Sequence, residues 1–397
     1  MDDRALIIGG GIGGLSAALA LRRAGIEAVV FERAPELSEV GTGIGLWING
    51  MAALQAIGVC EAVQARGCSV EVQEFRSSRG QTFFQVQVGA LAREYGAPPP
   101  MIIRRPDLLT ALTEALEDGV CRLGSPFVGC EQDGDAVVAR FADGSEQRGS
   151  VLIGADGIRS AVRAGLARPC EPKYAGYQYL RALTRFDDPS LPPGRFDFML
   201  GRGDRLGASH AGGGWVYWFA VVVTPEGSVD LDVGRKAEMI ERYKDFPAGA
   251  KAMIEATPEE SILRDDIRDI DPLGRWGEGR ITLLGDSAHA TTPNLGRGAG
   301  EAIEDALVIA ARLGSVDSLA DGDAVVEALR AYESERAAAT AKVQNKARRM
   351  GQLMSWRNPL ASGVKDMAFR TVVSMGARKG ARSDFERETV REKQPVA

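Results

Sequence analysis

The sequence predicts an α/β protein in which a Rossmann-like dinucleotide-binding domain carries an inserted antiparallel-sheet domain and is followed by C-terminal helices. Three observations predict this fold. A strand, a glycine-rich turn and a helix open the chain, two later apolar strands end in glycine and aspartate, and aromatic-rich strands lie between them. With 397 residues the chain is long enough for two domains. The predicted boundaries are 1–170 and 268–350 for the dinucleotide-binding domain, 171–267 for the inserted domain, and 351–397 for a C-terminal helix and mobile tail.

The first element is a strand over Ala5–Ile8, followed by the spacing G-x-G-x-x-G at Gly9, Gly11 and Gly14. In a dinucleotide-binding turn the first glycine permits the tight turn and the second lets a pyrophosphate approach the backbone. The third lets the following helix, here 15–21, pack against the strand. A chance match is possible in a chain with 48 glycines, so the context decides.

The context is a second apolar strand, Ala28–Phe31, which ends in Glu32. This is close to the spacing at which a carboxylate accepts hydrogen bonds from an adenosine ribose. A carboxylate favours a ribose 2′-hydroxyl over a 2′-phosphate, and both FAD and NAD offer that hydroxyl. The sequence at this point therefore predicts a dinucleotide without choosing between them.

Composition excludes several classes of function. A net charge of −6 argues against nucleic acid as the main partner, and no apolar run is long enough to span a membrane. The first residues lack the pattern of a signal peptide, so we expect a cytoplasmic protein. Five scattered cysteines without C-x-x-C indicate reduced thiols, and two histidines disfavour a histidine metal site or a Ser-His-Asp triad.

Next along the chain, 41–50 is predicted as a loop whose small residues allow a flat ligand to approach, and 69–88 as two strands around a turn at 77–80. A short strand at 101–105 leads into a helix that begins at Pro106. Either Arg104 or Arg105 could point at a phosphate or a ring edge there, or could be a solvated charge.

Two later strands predict the rest of the ligand site. The strand 151–153 ends in Gly154-Ala155-Asp156-Gly157, and the strand 279–284 ends in Gly285-Asp286. A glycine-rich loop, 293–300, then feeds a helix whose N-terminus would stabilise negative charge on the pyrimidine side of a reduced isoalloxazine. Beyond it we predict a long helix over 323–349, a short helix near 364–370 and a mobile tail from 377.

Three motifs follow one another along the chain: Gly9-x-Gly11-x-x-Gly14 with Glu32, then 154–157, then Gly285-Asp286 with the loop 293–298. Together they resemble those of the single-component FAD-dependent aromatic hydroxylases, the class A flavoprotein monooxygenases. The similarity runs from the first strand to residue 359 and is greatest to the branch of urate hydroxylase, the quinolone monooxygenases and zeaxanthin epoxidase. It implies a Rossmann-like FAD-binding domain of the GR2 type, as in p-hydroxybenzoate hydroxylase, with the inserted domain covering the substrate.

The resemblance also implies which residues hold the cofactor. Asp156 belongs to a motif implicated in both FAD and NAD(P)H binding, and Val128 would touch adenine through its backbone. The implied cofactor-binding residues are Gly9, Gly11, Ile12, Gly13, Gly14, Glu32, Arg33, Gly45, Arg105, Val128, Asp156, Asp286, Pro293, Gly296, Gly298 and Ala299.

The same resemblance implies a substrate site formed by Arg205 and Tyr217 of the inserted sheet, with Pro293 beside the flavin. A tyrosine such as Tyr217, or a carboxylate, could orient or deprotonate a phenol. Arg297 stands where the family often has glutamine, and it would either bring a cation near the substrate or point to solvent.

The implied activity is monooxygenation of a small aromatic or heteroaromatic molecule. NADH or NADPH would reduce non-covalently bound FAD, and O₂ would form a flavin C4a-hydroperoxide that transfers one oxygen atom. We expect a monomer or homodimer with no nucleic-acid or membrane partner. Two alternatives keep the fold and FAD, namely a reductase or dehydrogenase without oxygenation, and an epoxidase. A nucleotide-binding sensor without turnover is a third, and the absence of W-x-W-x-I-P disfavours a halogenase.

Overall fold

The computed structural model describes residues 3–37, 42–166, 170–230 and 232–358, together with the single positions 364, 367 and 371. The predicted helix near 364–370 and the tail from 377 therefore lie outside the described residues, apart from those single positions.

The strands, in chain order, are β1 (Arg4–Ile8), β2 (Glu27–Phe31), β3 (Gly43–Leu46), β4 (Cys68–Ser69), β5 (Val72–Ser77), β6 (Thr82–Val86), β7 (Met101–Arg104), β8 (Cys121–Arg122), β9 (Phe127–Asp133), β10 (Ala136–Phe141), β11 (Glu146–Gly149), β12 (Val151–Gly154), β13 (Lys173–Arg185), β14 (Arg195–Leu200), β15 (Arg205–His210), β16 (Trp215–Val223), β17 (Leu263–Asp269) and β18 (Ile281–Leu283).

The helices, in chain order, are α1 (Ile12–Arg23), α2 (Ile48–Ala56), α3 (Cys60–Gln64), α4 (Val88–Glu94), α5 (Arg105–Glu114), α6 (Ala161–Gly165), α7 (Arg235–Arg242), α8 (Ala248–Ala256), α9 (Asp286–His289), α10 (Gly298–Gly314) and α11 (Gly322–Met354), with 3₁₀ turns at Glu259–Ser261 and Pro293–Leu295.

The first layer is a parallel sheet in the order β18-β12-β1-β2-β8, with β1 at its centre. Its strands are nearly continuous apolar runs because helices and loops cover both faces. The helix α1 packs against both β2 and α10. Since all five strands are parallel, their carboxyl ends meet at one edge, where such sheets bind ligands.

The second layer is a seven-stranded sheet in the order β17-β13-β16-β15-β14-β5-β6. One face buries apolar side chains, Trp218 among them, against α7 and α8. The opposite face carries aromatic side chains at alternate positions of β13, β14 and β16. This aromatic face includes Tyr217, whose ring contacts Gly43 of β3 in the small sheet β3-β7-β4.

The sheet departs from the sequence expectation in its composition. Its strands β5 and β6 come from 72–86, within the range that the sequence predicts for the first part of the dinucleotide-binding domain. The strand β14 pairs with β5 in parallel, while the other neighbours are antiparallel. A sequence pattern cannot reveal this pairing, because the two strands are more than a hundred residues apart.

The prediction of a loop over 41–50 was wrong for part of that segment. Residues 43–46 form β3, which pairs antiparallel with β7 from Gly43 opposite Arg104 to Leu46 opposite Met101. The glycines permit close packing rather than irregular structure, since a Cβ at Gly43 would lie 2.2 Å from the Tyr217 ring. The long C-terminal helix is confirmed and extends to Met354, with Asp321 capping it by accepting a hydrogen bond from the Ala324 N–H (3.1 Å).

Candidate functional site

The glycine turn after β1 has the geometry of an anion cradle. A Cβ at Gly14 would lie 1.9 Å from the carbonyl oxygen of Gly9, so only glycine lets α1 pack this closely on the strand. Gly9 itself has φ +111° and lies against the backbone of Ala155. By contrast, no atom lies within 4 Å of where a Cβ at Gly11 would be, which leaves room for a ligand there.

The N-terminus of α1 faces this open position. The helix begins at Ile12 with neither a side-chain cap nor an acidic residue in its first turn, so its first amides are available to an anion. Gly13 serves packing, because a Cβ there would lie 2.8 Å from a methyl carbon of Leu284.

The carboxylate after β2 is held beside the cradle. Glu32 accepts hydrogen bonds from the backbone N–H groups of Gly10 (2.6 Å) and Ala34 (2.9 Å), one on each oxygen. An ionised carboxylate has about four acceptor sites, so both oxygens can still accept from a ribose. The neighbouring Arg33 is exposed.

Asp156, by contrast, is fully engaged within the protein. It accepts hydrogen bonds from the hydroxyls of Ser160 (2.5 Å) and Ser287 (3.1 Å) and from the N–H groups of Ala161 (2.7 Å) and Val162 (3.2 Å). The carboxylate thus caps α6 and ties the end of β12 to the α9 segment. This arrangement gives Asp156 a structural task in the absence of any ligand.

Asp286 and Arg105 form the charged part of the site. The Asp286 side chain reaches solvent although protein atoms surround most of it. Desolvation by those atoms raises the pKa of its carboxyl, while the charges of His289 and Arg105 lower it. Burial and the charge of Arg181 lower the pKa of Arg105, which Asp286 opposes. Arg105 is held at the start of α5, where its N–H donates to the carbonyl of Thr42 (2.8 Å).

A second helix N-terminus completes this edge of the sheet. Pro293 is exposed at the start of a 3₁₀ turn. Gly296 adopts a left-handed conformation with φ +65°, and the indole nitrogen of Trp47 would lie 2.1 Å from a Cβ there, so both the backbone and the packing favour glycine. The helix α10 begins at Gly298 without a side-chain cap, and Ala299 is half-buried in its first turn. Gly45 of β3 lies close to Trp47 on the same side.

Val128 lies apart from these loops on β9 and is 63% exposed. Such exposure of an apolar side chain is compatible with contact to an adenine ring.

Arg205 is the most unusual residue of the aromatic face. Its side chain is about 1% exposed, its Nη1 donates to Oδ1 of Asn294 (3.0 Å), and its guanidinium lies 5.1 Å from the centre of the Tyr177 ring. Neither Nε nor Nη2 has a hydrogen-bond partner among the described residues. Buried donors without acceptors are costly, so they indicate a place for a ligand.

Tyr217 belongs to the same face. Burial raises the pKa of its hydroxyl to about 12, although the charge of Arg181 lowers it. This shift favours a hydrogen-bond donor that orients a ring over a base at this position, and the role of Tyr217 stays a prediction. The rings of Tyr179 and Phe219 stack beside it at 5.3 Å.

Arg297 pairs with carboxylates of its own helix. Its Nε donates to Glu301 (2.8 Å) and its Nη2 to Glu304 (3.5 Å), and the side chain is 22% exposed. Whether it also brings a cation near the substrate stays a prediction. The spacing of four residues to Glu301 could have indicated this pair in the sequence.

Sequence analysis missed two site residues, both of them asparagines. Asn294 connects Arg205 to the Tyr177 hydroxyl, to which its Nδ2 donates (2.7 Å). Asn49, in the first turn of α2, is 1% exposed and neither atom of its amide has a partner among the described residues. The only available signal for Asn49 was a single amide within the apolar segment 44–54.

Two further observations apply to all of the described residues. In those ranges no group of three potential ligands is placed to hold a metal ion, and no helix is long and apolar enough to cross a bilayer. A separate cavity of about 640 Å³ adjoins the turn 212–214 and includes Cys68 and His210, but none of the predicted site residues lines it.

Comparison with known proteins agrees with this geometry. Residues 2–347 match the family described as FAD binding domain. Aurachin C monooxygenase/isomerase of Stigmatella aurantiaca is 38% identical over 93% of this chain and 94% of its own length. Chloroplastic zeaxanthin epoxidase of Nicotiana plumbaginifolia is 34% identical over 93% of this chain, which spans 58% of that protein. The crystal structure of Klebsiella pneumoniae HpxO complexed with FAD and uric acid superposes with a TM-score of 0.89 at 28% identity, covering 96% of each chain.

Proposed function

The chain belongs to the family of FAD-binding domains and is an FAD-dependent monooxygenase, and we propose that it hydroxylates a small aromatic or heteroaromatic molecule bearing an anionic or strongly hydrogen-bond-accepting group. The family match shows the FAD-binding domain, and the relatives show the monooxygenase. The proposed substrate class rests on the residues of the aromatic face.

The cradle fits the ADP half of FAD. The open space at Gly11 and the uncapped N-terminus of α1 suit the pyrophosphate, and the remaining acceptor sites of Glu32 suit the ribose hydroxyls. We assign Asp286 and Arg105 to the middle of the cofactor and the loop from Pro293 to Ala299 to the flavin ring. Asp156 acts in this proposal mainly by fixing the loop after β12.

When bound, FAD supplies the redox chemistry, accepting electrons from NADH or NADPH and activating O₂. The residues of this chain position and polarise the reacting groups, and they exclude water from the site. The N-terminus of α10 stabilises negative charge next to the loop that precedes it. The stacked rings of Tyr179 and Phe219 offer a dry wall to the substrate, and the protonated Tyr217 hydroxyl can orient it by donating a hydrogen bond.

One observation carries the substrate class, namely the free donors of Arg205. A buried guanidinium with two unmatched nitrogens selects a ligand with a carboxylate, an enolate or a polarised carbonyl, since charge-assisted hydrogen bonds are about twice as strong as neutral ones. The Tyr177 and Phe219 rings add affinity for a planar molecule.

The test is aerobic and anaerobic NADH and NADPH oxidation by the FAD-loaded protein against phenols, quinolones and purines, with ¹⁸O₂ and product mass. We expect one substrate to accelerate NAD(P)H loss and to gain one ¹⁸O atom, and its analogue lacking the acidic group to do neither. Stimulated NAD(P)H loss without label would instead indicate a reductase or dehydrogenase.

Epoxidation is the second candidate, and the similarity to zeaxanthin epoxidase favours it. It requires the same oxygen transfer, directed at an isolated double bond. A labelled epoxide from a carotenoid-like polyene, with no product from any aromatic acid, would establish it. The proposal further includes a cytoplasmic location and a monomer or homodimer, to be checked by fractionation and light scattering.

A further inference from the structure

The buried amide of Asn49 marks a ligand contact that the proposed function leaves out. A side-chain amide offers two donors and an acceptor, and here neither Nδ2 nor Oδ1 has a partner among the described residues although the residue is 1% exposed. Buried polar groups are almost always paired, so an orphaned donor and acceptor on one side chain call for an explanation.

The position of the amide indicates what would pair with it. A Cβ at Gly300 would lie 2.3 Å from Asn49 Nδ2, which places the amide against the first turn of α10. Gly50 lies against the same glycine, and Trp47 lies against Gly296. The segment 43–50 and the start of α10 thus meet at Asn49. The proposed function places the loop that precedes α10 beside the flavin ring, and the family resemblance places Gly45 of the segment 43–50 against the cofactor.

We propose that the carboxamide of Asn49 binds the pyrimidine edge of the flavin, with Nδ2 donating to a ring carbonyl oxygen and Oδ1 accepting from the ring imide N–H. This inference rests on the proposed function, because it requires FAD in the assigned orientation. The imide edge presents a donor between two acceptors, and a carboxamide is its complement.

The contact has an electronic consequence. Negative charge develops on the pyrimidine ring when the flavin is reduced, and an N–H donor stabilises it there, together with the N-terminus of α10. Asn49 therefore favours the reduced over the oxidised cofactor, in addition to holding both.

The test substitutes Asn49→Leu and measures the dissociation constant of FAD, the midpoint potential of the bound flavin and the melting temperature of the FAD-free protein. We expect FAD to bind roughly tenfold more weakly, as the loss of two hydrogen bonds predicts. A tenfold weaker preference for the reduced flavin corresponds to a potential lower by about 30 mV for a two-electron couple. The melting temperature of the FAD-free protein should not fall, because the substitution removes two unpaired buried groups.

Gln344→Leu is the matched control. Its amide is 2% exposed, but its Nε2 donates to the carbonyls of Ile270 (3.1 Å) and Ala290 (3.2 Å). Its removal should lower the melting temperature of the FAD-free protein and leave the flavin potential unchanged. Asn49→Asp keeps the shape while exchanging a donor for a negative charge, so it should lower the potential further than leucine does.

The outcomes separate the two levels of the argument. If wild type retains FAD and incorporates oxygen while the Asn49 variants keep its FAD affinity and potential, the inference is wrong and Asn49 only packs α2 against α10. If wild type does not bind FAD, the proposed function fails first and this contact fails with it. If the leucine variant does not fold, an unchanged potential in the aspartate variant overturns the inference on its own.

Discussion

Two arginines are buried to the same extent, but their surroundings are opposite. Arg336 of α11 and Arg205 of β15 are each about 1% exposed. Arg336 donates to three carboxylates of α10, Glu301 (2.7 Å), Glu304 (2.7 Å) and Asp305 (2.5 Å). Arg205 has one amide oxygen and one aromatic ring, and two of its nitrogens have no partner in the described part of the chain.

This difference separates a cation that is paired within the protein from one that we propose binds the substrate. A buried charge is tolerated when it is paired and hydrogen-bonded, and Arg336 meets that condition entirely within the protein. Its network also reaches the proposed site, because Asp305 accepts from the Gly285 N–H (2.9 Å) and pairs with His289 (2.6 Å). Arg205 meets the condition only if a substrate completes it.

The largest effect is expected for Arg336→Met, which removes the cation from the buried network of Arg336 with the three carboxylates of α10. Three carboxylates would lose their shared cation in a buried place, so we expect the free energy of unfolding to fall by about 3–5 kcal/mol. Urea unfolding followed by tryptophan fluorescence measures this loss.

Arg336→Lys is the control for that measurement. Lysine keeps the charge but cannot reach three carboxylates in the same geometry. The free energy of unfolding of this variant should therefore lie between those of wild type and the methionine variant. A methionine variant as stable as wild type would show that the network contributes no net stability, and the contrast with Arg205 would disappear.

For Arg205→Met we expect a loss of activity with little loss of stability. The loss of charge-assisted hydrogen bonds to the substrate should lower kcat/KM by roughly 10- to 100-fold. The free energy of unfolding of the substrate-free protein should change by less than about 1 kcal/mol, because the substitution removes unpaired buried donors at similar volume. Steady-state kinetics and urea unfolding of one preparation test both halves. A variant that loses several kcal/mol of stability with unchanged kcat/KM would make Arg205 structural.

The network around Arg336 should also make the free energy of unfolding depend on pH. Burial alone would raise the pKa of Asp305, but His289, Arg336 and the Gly285 amide together lower it to about 2. This contribution of about 2 kcal/mol is present above the usual carboxyl pKa of 3.8 and is lost as pH falls towards 2.

His289 should change the stability with pH in the opposite direction. Burial lowers the pKa of its imidazole, but the charge of Asp305 and the hydrogen bond to it outweigh burial and raise the pKa. The stability it contributes is present below the ordinary pKa of 6.5 and is lost as pH rises through the folded value. Urea unfolding between pH 5 and 9 should show a declining alkaline arm in wild type that His289→Gln flattens. Parallel curves for the two proteins would mean that folding does not shift the pKa of His289.

Sequence reasoning located the parts of the site that depend on local geometry. The spacing of Gly9, Gly11 and Gly14 follows from one turn and one helix, and Glu32 follows from the next strand, so their arrangement can be read from a short stretch. Whether each of them contacts FAD stays a prediction. The resemblance to a family added Arg205, which no local pattern distinguishes from a surface arginine.

The remainder depends on contacts between distant residues. β3 is a strand because β7, more than fifty residues later, pairs with it. Asn294 matters because Arg205 lies 89 positions earlier in the chain and reaches it across two layers. Asn49 looks like an ordinary helix residue until the absence of any partner within the described residues becomes visible.

Arg297 offers the smallest and most selective test of the contrast between the two arginines. Its side chain is 22% exposed and pairs with Glu301 one turn along α10, and Glu301 keeps Arg336 as a second partner. We expect Arg297→Gln to lower the free energy of unfolding by about 0.5–1 kcal/mol, since such partly exposed pairs contribute little, and to leave the substrate KM unchanged. Urea unfolding and steady-state kinetics measure both quantities. An increase of tenfold or more in KM, with the free energy of unfolding unaffected, would instead assign Arg297 to the substrate. Arg297 would then be a second substrate-binding cation beside Arg205.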